Sequence, residues 1–188
     1  MLFTISCAGT KLISTWKDDT FEGGYLESVM VVALSDNPGN RRLFEDTFVK
    51  QLEGRGVKAV SSAAVLPPEM ELTEHTIRAK AEELALDGIF VSHMVGAGEK
   101  TVYHPPAVTP WYNCFSDYYA QSCEITRQPG YYTQHRYVRL ENNLYATKTD
   151  KLIWSSSSET VDAKTVNAGI QSLSDVIMKR LRKDNLIE

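Results

Sequence analysis

The stretch Val29-Met30-Val31-Val32-Ala33-Leu34-Ser35-Asp36-Asn37-Pro38-Gly39-Asn40-Arg41-Arg42-Leu43-Phe44 decides the fold class. Its first six residues are all apolar and leave no wet face, the pattern of a strand covered on both sides of a sheet. Asn37 has the side chain of a helix N-cap, and Pro38 has the fixed φ suited to a first helical position. Leu43, Phe44, Phe48 and Leu52 then recur at helical spacing until Gly54 and Gly56 end the run. Strand, tight turn and helix in this order open a parallel α/β arrangement.

Working outward, Val57-Lys58-Ala59-Val60 is a second short strand, closed by Pro67-Pro68. Thr73 caps a second helix, with Leu72 and Ile77 placed as a hydrophobic staple and Ala81 and Leu84 continuing the apolar stripe. Asp87-Gly88 ends it, and Ile89-Phe90-Val91 begins a third strand. From Tyr132 the pattern changes to alternation. Val138, Leu140, Leu144 and Ala146 take one side, and Tyr137, Arg139, Glu141, Asn143 and Tyr145 the other. Thr149-Asp150 makes a turn into Leu152-Ile153-Trp154, a hairpin partner. Val166, Ile170, Leu173, Ile177 and Leu181 stripe a final helix whose last turns carry Lys179, Arg180, Arg182 and Lys183. The predicted fold is α/β: a mixed sheet built as β-α-β-α-β, then an antiparallel hairpin and a C-terminal helix.

Composition narrows the function classes. The chain has 188 residues, 43% hydrophobic and 23% charged, with a formal charge of −4. That is the composition of a globular domain, with no basic balance calling for a nucleic-acid partner. No stretch reaches the ~20 apolar residues of a membrane-spanning helix. Residues 1–24 read as a signal remnant followed by a tether or edge segment. Residues 25–188 read as one α/β domain interrupted by an aromatic, proline-rich loop at about 96–130.

Near the start, Met1-Leu2-Phe3-Thr4-Ile5-Ser6-Cys7-Ala8-Gly9-Thr10 is an apolar run closing on a small residue and a cysteine. This is the form of the end of a lipoprotein signal, with Cys7 as the lipidated residue and new N-terminus. Only six residues precede Cys7, none of them basic, and Thr4 stands where a leucine is usual. Either Met1 is internal to a longer reading frame or Cys7 is an ordinary cysteine. In an exported protein Cys114 and Cys123 are left as an even pair, able to close a disulfide inside the loop. In a cytosolic one they are free thiols.

The chemistry-bearing residue types form no catalytic or metal pattern. Gly96-Ala97-Gly98-Glu99-Lys100-Thr101 imitates a phosphate loop, but Glu99 separates glycine from lysine and Pro105-Pro106 bars the helix that must follow. His75, His93, His104 and His135 include no pair at helical spacing. No catalytic residue, metal or cofactor is assigned. Two binding candidates remain. One is the helix start at 35–42, where Asn37, Arg41 and Arg42 could hold an anion at the carboxyl end of a buried strand. The other is the loop's aromatic set Trp111, Tyr112, Phe115, Tyr118 and Tyr119, rings of the kind that build interfaces.

The chain resembles a group of bacterial envelope lipoproteins. The resemblance rests on Cys7-Ala8-Gly9-Thr10, Thr15-Trp16-Lys17-Asp18, and Ser35-Asp36-x-Pro38-x-x-Arg41-Arg42-x-Phe44-Glu45. It continues through Gly54-Arg55-Gly56-Val57, Ala85-Leu86-Asp87-Gly88, Leu144-Tyr145 and Leu152-Ile153-Trp154-Ser155. Their architecture is similar to the N-terminal domain of the Tol-system β-propeller protein and to the curli-secretion lipoprotein. The resemblance implies an address and a fold, with no activity attached. The resulting expectation is an envelope protein anchored through Cys7 and facing the periplasm, at the outer membrane ahead of the inner. It would act as a non-catalytic binding or assembly module with a protein partner. The alternative from another class is a small-molecule or anion-binding enzyme using the helix start at 35–42.

Overall fold

The computed structural model describes residues 9–67, 70–111 and 124–188. The expectations on Cys7, Tyr112, Cys114, Phe115, Tyr118, Tyr119 and Cys123 lie outside the described residues. Two compact units are present. The larger comprises the residues up to Gly98 together with Tyr137–Glu188, and the smaller is Glu99–Arg136.

The larger unit is a mixed α/β layer structure. Its strands are β1 (Gly9–Lys17), β2 (Ser28–Leu34), β3 (Lys58–Ser61), β4 (Gly88–His104), β7 (Tyr131–Ala146) and β8 (Lys151–Val161). They form one sheet in the order β1-β8-β7-β4-β2-β3. Strand β2 pairs in parallel with β3 and with β4. Strand β8 pairs antiparallel with β7 and with β1. Thr147 N–H donates to the Asp87 carbonyl, and Ser92 Oγ to Asn142 Oδ1, both at 2.9 Å. Residue numbers therefore rise along one strand as they fall along the other, so β7 is antiparallel to β4. Four helices, α1 (Pro38–Glu53), α2 (Ser62–Val65), α3 (Glu74–Glu83) and α4 (Val166–Lys183), complete the fold.

Strand β2 is apolar throughout because it has a helix layer on each face. Val29, Val31 and Ala33 enter one core with Phe44, Phe48 and Leu52 of α1 and Leu173, Ile177 and Leu181 of α4. Met30 and Val32 enter a second, with Ile77 and Ala81 of α3. Phe44 stacks on Phe48 with centroids 4.3 Å apart, and Phe48 on Phe90 of β4 at 5.2 Å. Each such buried ring contributes about 2–3 kcal/mol of transfer free energy. The caps at Asn37 and Thr73 are those the sequence indicates. Asn37 Oδ1 accepts from Asn40 N–H at 2.9 Å, and Thr73 closes a capping box with Thr76. The last helix is capped by Thr165, whose hydroxyl accepts from Ala168 N–H at 3.1 Å.

The β7–β8 half departs from a simple wet-face, dry-face alternation. Between Leu140 and Leu144 the core-side position belongs to Asn142, which is fully buried. Its Oδ1 accepts from Ser92 Oγ, and its Nδ2 donates to Ser156 Oγ at 3.3 Å and to Ser158 Oγ at 3.2 Å. On the other face Glu159, also buried, pairs with Lys11 of β1 at 3.3 Å and Arg139 of β7 at 2.9 Å. Both partners stand directly opposite it in register, so three strands are fastened by one carboxylate. Edge strand β1 carries a bulge at Ile13, an irregularity that discourages further strand pairing.

Glu45 makes the densest junction. Its side chain is wholly buried inside α1. Oε1 accepts from Ala33 N–H at 3.0 Å, Arg41 Nε at 3.1 Å and Ser62 Oγ at 2.7 Å. Oε2 accepts from Ser61 Oγ and Ala63 N–H, both at 2.7 Å. One carboxylate thus joins the end of β2, helix α1, the end of β3 and the start of α2. Removing it strands several buried donors and the Arg41 charge. Glu45→Ala is expected to lower the unfolding free energy by about 3–5 kcal/mol in urea denaturation. Glu45→Gln should lose about 1–3 kcal/mol, because the amide keeps an acceptor but sets its own N–H groups against those facing it. Two variants within about 0.5 kcal/mol of the parent would remove Glu45 from this role.

Candidate functional site

The two binding candidates of the sequence fare differently in the structure. At the helix start Asn37 serves as the cap described above, and Ser35 Oγ accepts from Asn37 N–H at 3.3 Å. Arg41 is turned inward: Nε donates to Glu45, and Nη2 donates to Ser62 Oγ at 2.8 Å. Arg42 alone remains an exposed cation at this start, and it closes no ion pair among the described residues. Of the three residues considered for an anion, one caps the helix and one is locked in the Glu45 junction.

The smaller unit, Glu99–Arg136, contains the far part of β4, the antiparallel hairpin of β5 (Ala107–Trp111) and β6 (Glu124–Gln128), and the first part of β7. The hairpin register runs from Ala107 opposite Gln128 to Trp111 opposite Glu124. Trp111 therefore sits at the last described pair, where the chain leaves toward the other four aromatic residues of the predicted set. Within the stretch expected to be irregular, most described residues are strand, with Pro105-Pro106 and Pro129-Gly130 standing between the strands. Successive prolines and rings hide the period of two that would reveal them.

Two ring pairs sit below this hairpin. Tyr103 and Tyr132 pack with centroids 4.8 Å apart, and His104 stacks on Tyr131 at 4.6 Å, nearly parallel. Neighbouring residues of a strand point to opposite faces, so the ribbon shows one aromatic pair on each face. The rings are open to solvent: Tyr132 is 72% exposed, Tyr131 55% and Tyr103 51%. On the Tyr131 face a polar chain follows. Thr133 Oγ1 lies 3.0 Å from His104 Nε2 and 2.8 Å from His135 Nε2. A hydroxyl has one proton, so it donates to no more than one imidazole, and at least one of the two rings donates to it from Nε2.

Six of the nine tyrosines fall within 99–136, together with Trp111 and Phe115. Charges there are balanced, with Glu99, Asp117 and Glu124 against Lys100, Arg127 and Arg136. A tyrosine-rich, electrically neutral composition with few aliphatic residues suits contact with another macromolecule, since each ring buries a large area while losing few rotamers. Tyr103, Tyr131 and Tyr132 are exposed aromatic residues of this unit that lie outside the set predicted at 111–119. The signal for them was present as aromatic residues flanking Pro105-Pro106 and Pro129-Gly130. Among the described residues no three His, Cys, Asp or Glu side chains gather as a metal-ligand set, and no helix is long and apolar enough to cross a membrane.

No protein-family model matches this chain, and no curated protein matches it. Among solved structures it is similar to the PelC dodecamer from Paraburkholderia phytofirmans. That similarity has a TM-score of 0.50 and 10% identity over 96% of this chain and 100% of the PelC chain. A second PelC dodecamer structure, of a point variant, gives a TM-score of 0.48 and 9% identity over 90% of this chain and 95% of that one. The lipoprotein GNA1162 from Neisseria meningitidis gives 0.45 and 12% identity over 83% of this chain and 98% of its own. At such identities the first of these likenesses speaks to the fold alone.

Gly130 is the residue on which the ring arrangement turns. A Cβ there would lie 2.6 Å from Tyr103 Oη and 3.1 Å from the His104 carbonyl oxygen. Gly130→Ala is expected to push Tyr103 off Tyr132, abolishing the ring-to-ring NOE between them and weakening the near-UV tyrosine signal. The change is local, so the thermal midpoint should move by less than about 3 °C. Retention of the NOE would show that the pair does not depend on this close approach.

Proposed function

We propose that this protein is a lipid-anchored envelope protein that acts as a non-catalytic binding or assembly module. Its anchor is an acyl group on Cys7, and it faces the periplasm, at the outer membrane ahead of the inner. The partner, a protein, is engaged by the aromatic unit at 99–136, with Trp111, Tyr112, Phe115, Tyr118 and Tyr119 joined by Tyr103, Tyr131 and Tyr132. The observation that carries this reading is the two ring pairs whose tyrosines are each half or more exposed, leaving aromatic area available for contact. The tether supports the same role, because holding a module at a surface raises its effective concentration for a partner held there too. The PelC structures are dodecamers, which makes a second copy of this chain the first partner to test. In that compartment Cys114 and Cys123 form an even pair able to close a disulfide within the aromatic segment.

The anchor is tested by metabolic labelling with a clickable palmitate, expressing the gene with its native upstream sequence. Label is expected in the parent and absent in Cys7→Ala; an unlabelled parent would overturn the anchoring. The contact surface is tested by crosslinking and co-purification from envelopes. Trp111→Ala combined with Tyr112→Ala, and separately Tyr131→Ala with Tyr132→Ala, are expected to cut recovery of the crosslinked partner at least about tenfold, as for central aromatic anchors. Undiminished recovery from both pairs would move the interface elsewhere.

A further inference from the structure

The larger unit holds a cavity of about 450 Å³ at the end of the sheet opposite the helix start at 35–42. It lies at the amino ends of β2 and β4, bounded by the loop after β1 and by the β7–β8 turn. Its volume falls in the range of small-molecule sites. The floor is apolar: Leu26, Ala146 and Ile153 line it and are buried in the main core. Phe21 forms part of the wall, its ring lying so close over Gly23 that a Cβ there would run into it.

Charges of both signs surround this floor. Glu22 and Glu27 come from the loop that precedes β2, and Lys148 and Lys151 from the β7–β8 turn. All four are exposed at the cavity, and none closes a direct ion pair with any described residue. Asp18 and Asp87 also line it, and Lys151 acts on the Asp18 carboxyl at longer range. The frame that carries them is fixed. Asp87 Oδ2 accepts from Glu27 N–H at 3.1 Å, Ser28 N–H at 3.0 Å and Ser28 Oγ at 2.9 Å. Asp18 N–H donates to the Ile153 carbonyl at 3.0 Å, tying the β1 loop to β8. The Thr20 hydroxyl and amide donate to the Asp18 carboxylate and hold it below the ordinary carboxylate range. A simple cation would meet the two lysines, and a simple anion the carboxylates. A ligand bearing both signs matches both walls and loses neither.

We propose that this cavity binds a zwitterionic small molecule with an apolar body, its ammonium toward Glu22 and Glu27 and its anionic group toward Lys148 and Lys151. Free amino-acid or dipeptide ligands carry this chemistry, and so does an ethanolamine phospholipid headgroup with short chains. The test is a ¹H–¹⁵N NMR titration of the full chain, reading the amides of Gly23, Gly24 and Thr149. Four probes are used: leucyl-leucine, dihexanoylphosphatidylethanolamine, hexylamine and hexanoate. At least one zwitterion is expected to shift these amides with a Kd on the order of 1 mM or tighter, and both single-charge probes to bind at least about fivefold more weakly. Response to the dipeptide alone assigns a peptide-type ligand, and response to the phospholipid alone a headgroup.

Lys148→Ala with Lys151→Ala, and separately Glu22→Gln with Glu27→Gln, should each weaken the zwitterion at least about fivefold. Lys50→Ala, an exposed α1 lysine outside the cavity, should not. All five positions are exposed, so the fold is retained in these variants. The proposal is overturned if neither zwitterion shifts the three amides, if hexylamine or hexanoate binds as tightly as the zwitterion, or if the paired substitutions leave affinity unchanged.

Discussion

A single carboxylate inside the protein governs how its parallel half is assembled. Glu45 lies with no solvent exposure among Phe44, Phe48 and the end of β2, where an unpaired charge would be prohibitively desolvated. Five hydrogen bonds compensate it, from Ala33, Arg41, Ser61, Ser62 and Ala63. These donors belong to β2, α1, β3 and α2, and hydrophobic contact alone would not fix their relative register. Apolar packing is tolerant of small slides. A carboxylate with both oxygens filled is not, since any slip leaves a buried donor or acceptor unmatched. The crossover from β2 through α1 to β3 is therefore specified by polar geometry and stabilised by the two cores around it.

The same logic explains what the sequence displays and what it conceals. The run from Val29 to Leu34, the cap at Asn37 and Pro38, and the Thr73 start are local signals, written in residues that interact within a turn of one another, and the structure has each of them. Glu45 is concealed because a charged residue beside an apolar stripe reads as its solvated margin. Only the five donors, up to eighteen residues away in the chain, make it a core residue. Asn142 is concealed likewise: it interrupts the apolar face of β7, and its partners lie on β4 and β8. The serine run at 155–158 reads as low complexity. In the structure Ser156 and Ser158 are buried and serve Asn142, while Ser155 and Ser157 face the other way.

In the smaller unit the difficulty has another origin. Strand periodicity depends on contrast between a wet and a dry face, and here both faces of the ribbon carry exposed rings. A two-sided surface offers no alternation to detect. Tyrosine also resolves the question of what such a surface suits. A ribbon of leucine or isoleucine would favour collapse or aggregation, whereas a phenol keeps a polar tip in water and an apolar body for a partner. Pro105, Pro106 and Pro129 stand in the connections next to the ring pairs, where they have no backbone donor to offer a foreign strand. The unit therefore combines contact area with protection against indiscriminate strand addition.

The Glu45 junction also bears on where a small ligand can enter the larger unit. In open α/β sheets the carboxyl ends of the parallel strands usually form the ligand crevice, with helix N-termini aimed into it. Here that end of β2 is occupied from within: Ala33 N–H is bonded to Glu45, and Arg41, the cation best placed on the first turn of α1, is bonded to Glu45 and Ser62. The open volume lies at the opposite end of the sheet, and its walls come from elements outside the β-α-β units, namely the loop after β1 and the β7–β8 turn. Glu22, Glu27, Lys148 and Lys151 are free to vary without disturbing the parallel core, because the backbone that carries them is held by Asp18, Asp87, Ser28 and Ile153. With the carboxyl end of β2 occupied by a structural ion pair, the open volume of the larger unit is bounded by segments that belong to the added antiparallel strands.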